Sequence, residues 1–508
     1  MKTRRSVYNI CGNLLNQFIT IVLGILIPRL VLTNLGSEAN GLMNSITQVF
    51  AYINLLEAGV GVATVQALYK PLSINDRNGI NSILTATKKY YTKIAFIYLF
   101  VLLLFAGIYP LLVTSGYSNA QIALIILFTG GNAFFNFNFQ GKYRLFLEAE
   151  GKLYILTNIN TVIYIANSIS KSVLLVCGFD LVAIQFGYFI MNFFQLVFIE
   201  LYMHKKYKWI SFKVKPDYKA ISQKNSVLIH QFSTVIFSNT DVLLLTFLCD
   251  LKVASVYSVY QLVIGMINTA LHNTVNSIQF AFGQKYNTDF KQYKRLLNAF
   301  EAYYCCLCSA LFTVTFLLLI PFIRIYTESV TDIKYVDSLV AVLFIGRELA
   351  IFGRVASQSS INVAGHFQKT VYRSLAETVI NLVVSIFGVL KFGIYGALFG
   401  TIVASLYRTN DMILYSHKYI LKDSPKKSYM HWILGIVLCV IIGVFIFPLV
   451  HGVDSILGFI VWGIILVAVV FPLCFAITSL LDKSAFKVFK EYFLPKIKSI
   501  FNKLVHVH

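Results

Sequence analysis

Long apolar runs separated by short polar or basic stretches repeat along the whole chain, and each run approaches the ~20 residues that a helix needs to cross a bilayer. The pattern predicts about fourteen membrane-spanning helices. The first six lie near 11–34, 40–68, 90–114, 119–141, 153–178 and 180–204. Six more lie near 225–249, 253–282, 297–326, 333–361, 373–391 and 392–420, and a last pair near 430–450 and 454–481. The organisation is therefore a six-helix lobe (1–204), a basic linker (205–224), a second six-helix lobe (225–421), an added helix pair (430–481) and a basic tail (482–508).

The two sets of six carry a faint repeat. Laying Asn16-Gln17-Phe18-Ile19-Thr20 on His230-Gln231-Phe232-Ser233-Thr234 also lays the turn Leu35-Gly36 on Cys249-Asp250. Parallel repeats of this kind are a transporter architecture with the substrate site between the halves near mid-membrane. The expected fold is all-α and polytopic, two lobes around a central cavity plus a C-terminal helix pair.

Composition agrees with the pattern: 57% hydrophobic residues, 13% charged and a mean hydropathy of +0.71 exceed what one soluble core would hold. The net charge of +21 is distributed as an orientation signal. With the N-terminus inside, the external connections hold only Lys252, Lys334 and Lys391, whereas most other Lys and Arg fall in cytoplasmic connections. Both termini are then cytoplasmic. The basic residues form no separate domain able to hold a duplex, which excludes a nucleic-acid partner. The start Met1-Lys2-Thr3-Arg4-Arg5 resembles a signal peptide, but its apolar run is long and lacks a small-residue cleavage site, so it reads as a retained first helix. In the tail, Phe486, Phe489, Phe493, Ile497 and Phe501 alternate with lysines at helical spacing, as in an amphipathic segment on an anionic leaflet.

The candidate chemistry is the set of ionisable residues inside apolar runs, because a charge held in hydrocarbon costs ~2.5 to 3.5 kcal/mol on insertion scales and normally marks a pathway. Glu57 is the foremost. It lies mid-segment in Leu55-Leu56-Glu57-Ala58-Gly59-Val60-Gly61, where the glycines permit a bend. Three roles remain open for it: binding a coupling proton or sodium ion, pairing with a buried cation such as Arg29 or Lys171, or contacting substrate hydroxyls. Asn9, Asn13, Asn16 and Gln17 share one face of the first helix ahead of Pro28 and Arg29. Lys171, Asp241, Arg347, Arg354, Glu377 and Arg408 complete the expected substrate or ion pathway. Arg347 and Arg354, seven apart, fall two turns along one helix face and would present guanidiniums to a phosphate. The alternatives are local pairing of Arg347 with Glu348 or Glu377, and of Arg408 with Asp411. His230 and His272 read as helix-packing residues and stay outside the site.

The eight cysteines lie within or at the ends of apolar runs, including the CxxC-spaced Cys305 and Cys308, and imply neither disulfides nor a metal centre. No Walker sequence or Gly-rich phosphate loop is present, so no nucleotide cofactor is expected and uphill transport would draw on an ion gradient. The external connections are short, which disfavours an enzyme with catalytic acids at the outer face.

Several segments resemble the Wzx-type polysaccharide biosynthesis flippases of the multidrug/oligosaccharidyl-lipid/polysaccharide exporter superfamily. They are Ile27-Pro28-Arg29-Leu30 with Leu35 to Leu42, Leu55 to Ala63, Leu68-Tyr69-Lys70-Pro71-Leu72, Asn239 to Leu245 and Val253 to Tyr257. The resemblance implies alternating access by two lobes in the bacterial cytoplasmic membrane. Its cargo would be an undecaprenyl-pyrophosphate-linked oligosaccharide bound for surface polysaccharides such as O-antigen or capsule, and its partners would include polysaccharide polymerase machinery. An ion-coupled exporter of small drugs or metabolites on the same fold is the alternative.

Overall fold

In a computed structural model of the 508-residue chain, the structure describes residues 2–57, 60–218, 225–450 and 453–493. Among them every regular element is helical: α1 (Lys2–Ile53), α2 (Val60–Ser73), α3 (Arg77–Leu112), α4 (Asn119–Phe135), α5 (Gly141–Ala149), α6 (Leu153–Val176) and α7 (Leu181–Lys206). These are followed by α8 (Asn225–Leu248), α9 (Leu251–Thr288), α10 (Phe290–Tyr326), α11 (Ser338–Ile351), α12 (Val355–Val363), α13 (Phe367–Phe392), α14 (Ile394–Tyr415), α15 (Lys426–Ile446), α16 (Ile456–Leu481) and α17 (Lys483–Val488).

Ten described helices are long and apolar enough to cross a membrane, so the chain is a multi-pass membrane protein. The shortfall from the expected fourteen has local reasons. Segment 11–34 and the first part of segment 40–68 run together in α1, interrupted at Gly36, whose φ of 82° and ψ of 178° break the helix where the sequence predicts a turn. Positive φ there is open to glycine without the Cβ clash that other residues meet. Segment 225–249 forms the 24-residue α8, of which the stretch Val235–Leu248 is fully described. Segment 333–361 is divided by a 3₁₀ turn at Phe352–Arg354, and 392–420 becomes α14 plus a π-helical turn at Ser416–Leu421. The side chains of Asn9, Asn13, Asn16 and His230, and residues 494–508 of the expected amphipathic tail, lie outside the described residues.

The chain forms two compact units, one of residues 1–256 with 329–333 and one of 257–328 with 334–508. In the first, Leu42, Ile46, Phe50, Tyr91, Tyr98, Leu102, Ile122 and Ile126 form a buried core between α1, α3 and α4. A second cluster of Leu68, Leu84, Phe146, Leu147, Met203 and Tyr207 packs α2, α3, α5 and α7. The turn at Gly36 is fixed from outside its own helix: the backbone N–H and hydroxyl of Ser37 donate to Asp332 at 3.1 and 2.6 Å. Close by, Asn40 Nδ2 donates to Ser255 Oγ at 2.7 Å, and a Cβ on Gly41 would lie 1.9 Å from the carbonyl oxygen of Leu251.

In the second unit α10 is the most enclosed long helix, covered by α11, α15, α16 and α17. Helices α13 and α14 approach until a Cβ on Gly396 would lie 2.0 Å from the carbonyl carbon of Gly388. Small residues that let backbones meet are the usual means of helix association in lipid, where apolar burial alone gives little drive. The outer faces are apolar instead of polar: Phe387, Leu390, Phe445, Leu457, Ile464 and Leu480 are all exposed, as expected of surfaces solvated by lipid tails.

Candidate functional site

In the first unit the helical ladder fails at two places that face one cavity. The expected helix through 40–68 leaves α-helical geometry after Ile53 for a 3₁₀ segment over Asn54–Glu57, and α2 is described from Val60, in a stretch where Gly59 and Gly61 weaken helix propensity. Glu57 therefore stands at a helix break, half-buried, and its Oε1 accepts a 2.9 Å hydrogen bond from the hydroxyl of Tyr91. The second break is the π-helical turn Asn136–Gln140 between α4 and α5. Such turns are rare and cluster at functional sites because they swing side chains out of helical register.

Between the breaks lies a cavity of about 600 Å³ lined by Asn54, Glu57, Asn136, Gln140, Arg144, Thr157, Asn160 and Gln195, with Phe137 among its apolar walls. Its polar groups are mostly side-chain amides, which donate and accept hydrogen bonds at once and thus suit a polyhydroxylated ligand. Gln195 Nε2 donates to Asn160 Oδ1 at 2.6 Å. Gln140 Nε2 is buried with no hydrogen-bond partner among the described residues, an arrangement that is costly unless something else supplies an acceptor. Arg144 is not among the sequence candidates, because it lies beyond the predicted span 119–141. The signal was present: Asn132, Asn136, Gln140 and Arg144 recur every four residues, a polar stripe on one helix face.

The other candidates of the first unit lie apart from that lining. Lys171 on α6 is half-buried with Nζ 4.5 Å from the centre of the Tyr188 ring, a cation–π contact. Arg29 on α1 is half-buried. Asp241 on α8 is buried, next to Thr240, whose hydroxyl is 2.8 Å from that of Tyr52.

In the second unit the expected pair of arginines on one helix face is divided. Arg347 ends in a closed neutral pair: Nε and Nη2 donate to Glu348 Oε1 at 2.9 and 2.7 Å, and Nη1 donates to the Tyr257 hydroxyl at 3.0 Å. This is the local pairing that the sequence offered as the alternative. The 3₁₀ turn then rotates Arg354 toward α13, where Nη1 donates to Glu377 Oε1 at 2.6 Å. Glu377 Oε2 is also 3.5 Å from Arg408 Nε, Arg408 Nη1 donates to Asp411 Oδ2 at 2.8 Å, and Arg373 closes on the other oxygen of Asp411. Three guanidiniums thus alternate with two carboxylates, leaving one positive charge over. Arg354 also lines a cavity of about 250 Å³ with His272, Asn268, Asn276, Gln279, Glu348, Gln358 and Asn362. Glu377 and Arg408 are separate candidates in the sequence; packing of α13 on α14 makes them one network.

No protein-family model and no curated protein sequence matches the chain. Among solved structures, it is similar to the lipid II flippase MurJ in an inward closed conformation, with a TM-score of 0.67 at 15% identity over 92% of this chain and 99% of that one. It is also similar to the inward-facing conformation of a multidrug resistance MATE family transporter of the MOP superfamily, with a TM-score of 0.63 at 16% identity over 80% of this chain and 96% of that one. A MOP superfamily transporter from Pyrococcus furiosus gives a TM-score of 0.53 at 14% identity over 81% and 96%. At such identities the likeness defines the fold: an all-helical membrane fold shared by a lipid flippase and multidrug transporters.

Proposed function

We propose that this chain is a flippase that carries an undecaprenyl-pyrophosphate-linked oligosaccharide from the inner to the outer leaflet of a bacterial cytoplasmic membrane, for surface polysaccharide synthesis. The observation that carries the reading is coverage. The likeness to the lipid II flippase extends over 92% of this chain, whereas that to the MATE transporter stops at 80%, and the difference is about the size of the helix pair α15–α16. In this reading the amide-lined cavity beside Glu57 takes sugar hydroxyls. The Arg354–Glu377–Arg408–Asp411–Arg373 network, with its surplus positive charge, faces the pyrophosphate, and Glu57 at its helix break binds a coupling proton or sodium ion. Both termini are cytoplasmic.

The test is appearance of a fluorescent undecaprenyl-pyrophosphate oligosaccharide in the outer leaflet of liposomes holding the purified protein. Movement by the wild-type protein, lost in Glu57→Gln and Arg354→Ala, supports the flippase. The likeness to a multidrug transporter favours a second reading, an ion-coupled exporter of small drugs or metabolites. Liposomes that leave the lipid in place but move small cationic dyes under an ion gradient would establish it.

A further inference from the structure

Behind the helix pair, in the second unit, six polar side chains form an unbroken chain of contacts that the transport reading does not use. Asp423 Oδ1 is 2.6 Å from His417 Nδ1, and His417 Nε2 is 2.9 Å from Ser428 Oγ. Ser428 Oγ is 2.7 Å from Glu301 Oε2, which is 3.4 Å from His431 Nδ1, and His431 Nε2 is 3.0 Å from Asp482 Oδ2. The members come from separate elements: Glu301 from α10, Ser428 and His431 from α15, His417 from the π turn after α14, and Asp482 from the junction of α16 and α17. His417, Ser428, Glu301, His431 and Asp482 are buried, whereas Asp423 is exposed.

Counting hydrogens decides what this chain must hold. Each of its five contacts needs one proton between its heavy atoms. Two neutral imidazoles supply one N–H each, the serine supplies one O–H and ionised carboxylates supply none, so three contacts are satisfied and two are lone pair against lone pair. Two added protons complete the chain. The charge balance asks for the same number. Three carboxylates with neutral histidines leave the cluster at −3, and two protons bring it to −1, which Lys294 Nζ, 3.3 Å from Asp423, neutralises. Buried carboxylates without such compensation are strongly disfavoured.

We propose that Asp423, His417, Ser428, Glu301, His431 and Asp482 form a two-proton binding site, loaded from the exposed Asp423, that fastens α15 and α16 to α10. A gap of about 60 Å³ lined by Lys294, His417, Asp423, Lys427 and Ser428 gives protons an approach. The remaining groups around it are few. From α10 there are Asn298, which donates to Asp482 at 3.3 Å, Tyr303, which feels the charge of Asp482, and Cys305, which feels that of Glu301. From α15 there is Lys427, 3.3 Å from Ser484, and Ser484 and the Ala485 N–H both donate to Asp482 Oδ1. The hydrogen bond from His431 holds the Asp482 carboxyl well below its usual range, so the proton between these two groups resides on the imidazole. As pH rises past the affinity of the site, the protons leave, the carboxylates repel, and the helix pair loosens from α10.

The test is nitrogen NMR of full-length protein carrying ¹⁵N-histidine in lipid nanodiscs, which separates imidazolium from neutral rings among the nine histidines. At pH 8 a free imidazole of pKa ~6.5 is about 97% neutral. Two imidazolium signals should persist there, one lost in His417→Asn and the other in His431→Asn. Glu301→Gln should lower the proton affinity of His431 at least tenfold while the melting profile confirms a folded protein. Neutral rings throughout in the folded wild-type protein at pH 8 would overturn the site with no variant needed. The outcome is independent of the cargo, so its failure and that of the flippase reading are separable.

Discussion

Replacing Glu377 by glutamine tests whether the network of α13 and α14 is held by its charges. The substitution keeps size and shape but removes the carboxylate that Arg354 (2.6 Å) and Arg408 (3.5 Å) share. Asp411 then has to serve Arg408 and Arg373 as before, and three guanidiniums face one carboxylate. The side chains of Glu377 and Arg408 are 11% and 3% exposed, so water screens little of the imbalance. Removing one partner of a buried pair costs about 3–5 kcal/mol because the other charge stays buried and unpaired. Arg354→Gln works in the opposite direction: two guanidiniums then face two carboxylates, and the loss is one charged hydrogen bond, ~1.5–3 kcal/mol. The double variant should therefore lose at least ~1 kcal/mol less than the sum of the single ones. Reversible unfolding in mixed micelles, scored for all four proteins, gives the coupling directly. A Glu377→Gln protein within ~0.5 kcal/mol of wild type, or strict additivity, would refute the electrostatic account of this network.

Three further outcomes are expected. Glu57→Gln retains an amide oxygen for the Tyr91 hydroxyl and should unfold within ~1 kcal/mol of wild type, yet lipid transport in liposomes should fall at least tenfold, ~1.4 kcal/mol of lost interaction; unchanged transport removes Glu57 from the pathway. Gly396→Val drives a side chain into the backbone of Gly388, 2.0 Å from the first added carbon, and should cost about 3 kcal/mol or more. Gly107→Ala, with nothing within 4 Å, should lose none, and equal melting of the two would disprove the close packing of α13 on α14. Because the Asp482 carboxyl is held below its ordinary value of 3.8, its contribution is complete above that pH and is lost as pH falls through the depressed value. Unfolding followed from pH 6 down to pH 2 should thus show an acid limb that Asp482→Asn flattens; an unaltered limb would place the acid sensitivity elsewhere.

Helix positions were legible from the chain because a bilayer imposes one length scale: every span must satisfy its own backbone within ~20 apolar residues. The same logic marked Glu57, Arg354, Glu377 and Arg408, since a charge inside such a run is conspicuous against its neighbours. Periodicity on one helix even held the polar stripe from Asn132 to Arg144, though the end assigned to the apolar run concealed it. What the tertiary structure decided is which of these groups meet. Arg347 meets the adjacent Glu348, a pairing already open to it in the sequence, but the 3₁₀ turn at Phe352–Arg354 follows it and Arg354 meets Glu377 on α13, which a straight-helix reading of their spacing does not foresee. Likewise His417, His431, Glu301 and Asp482 are up to 181 positions apart in sequence, and nothing in their local patterns joins them. Long-range contact is set by how small-residue faces let helices close on one another, a property of pairs of surfaces that no single stretch of sequence contains.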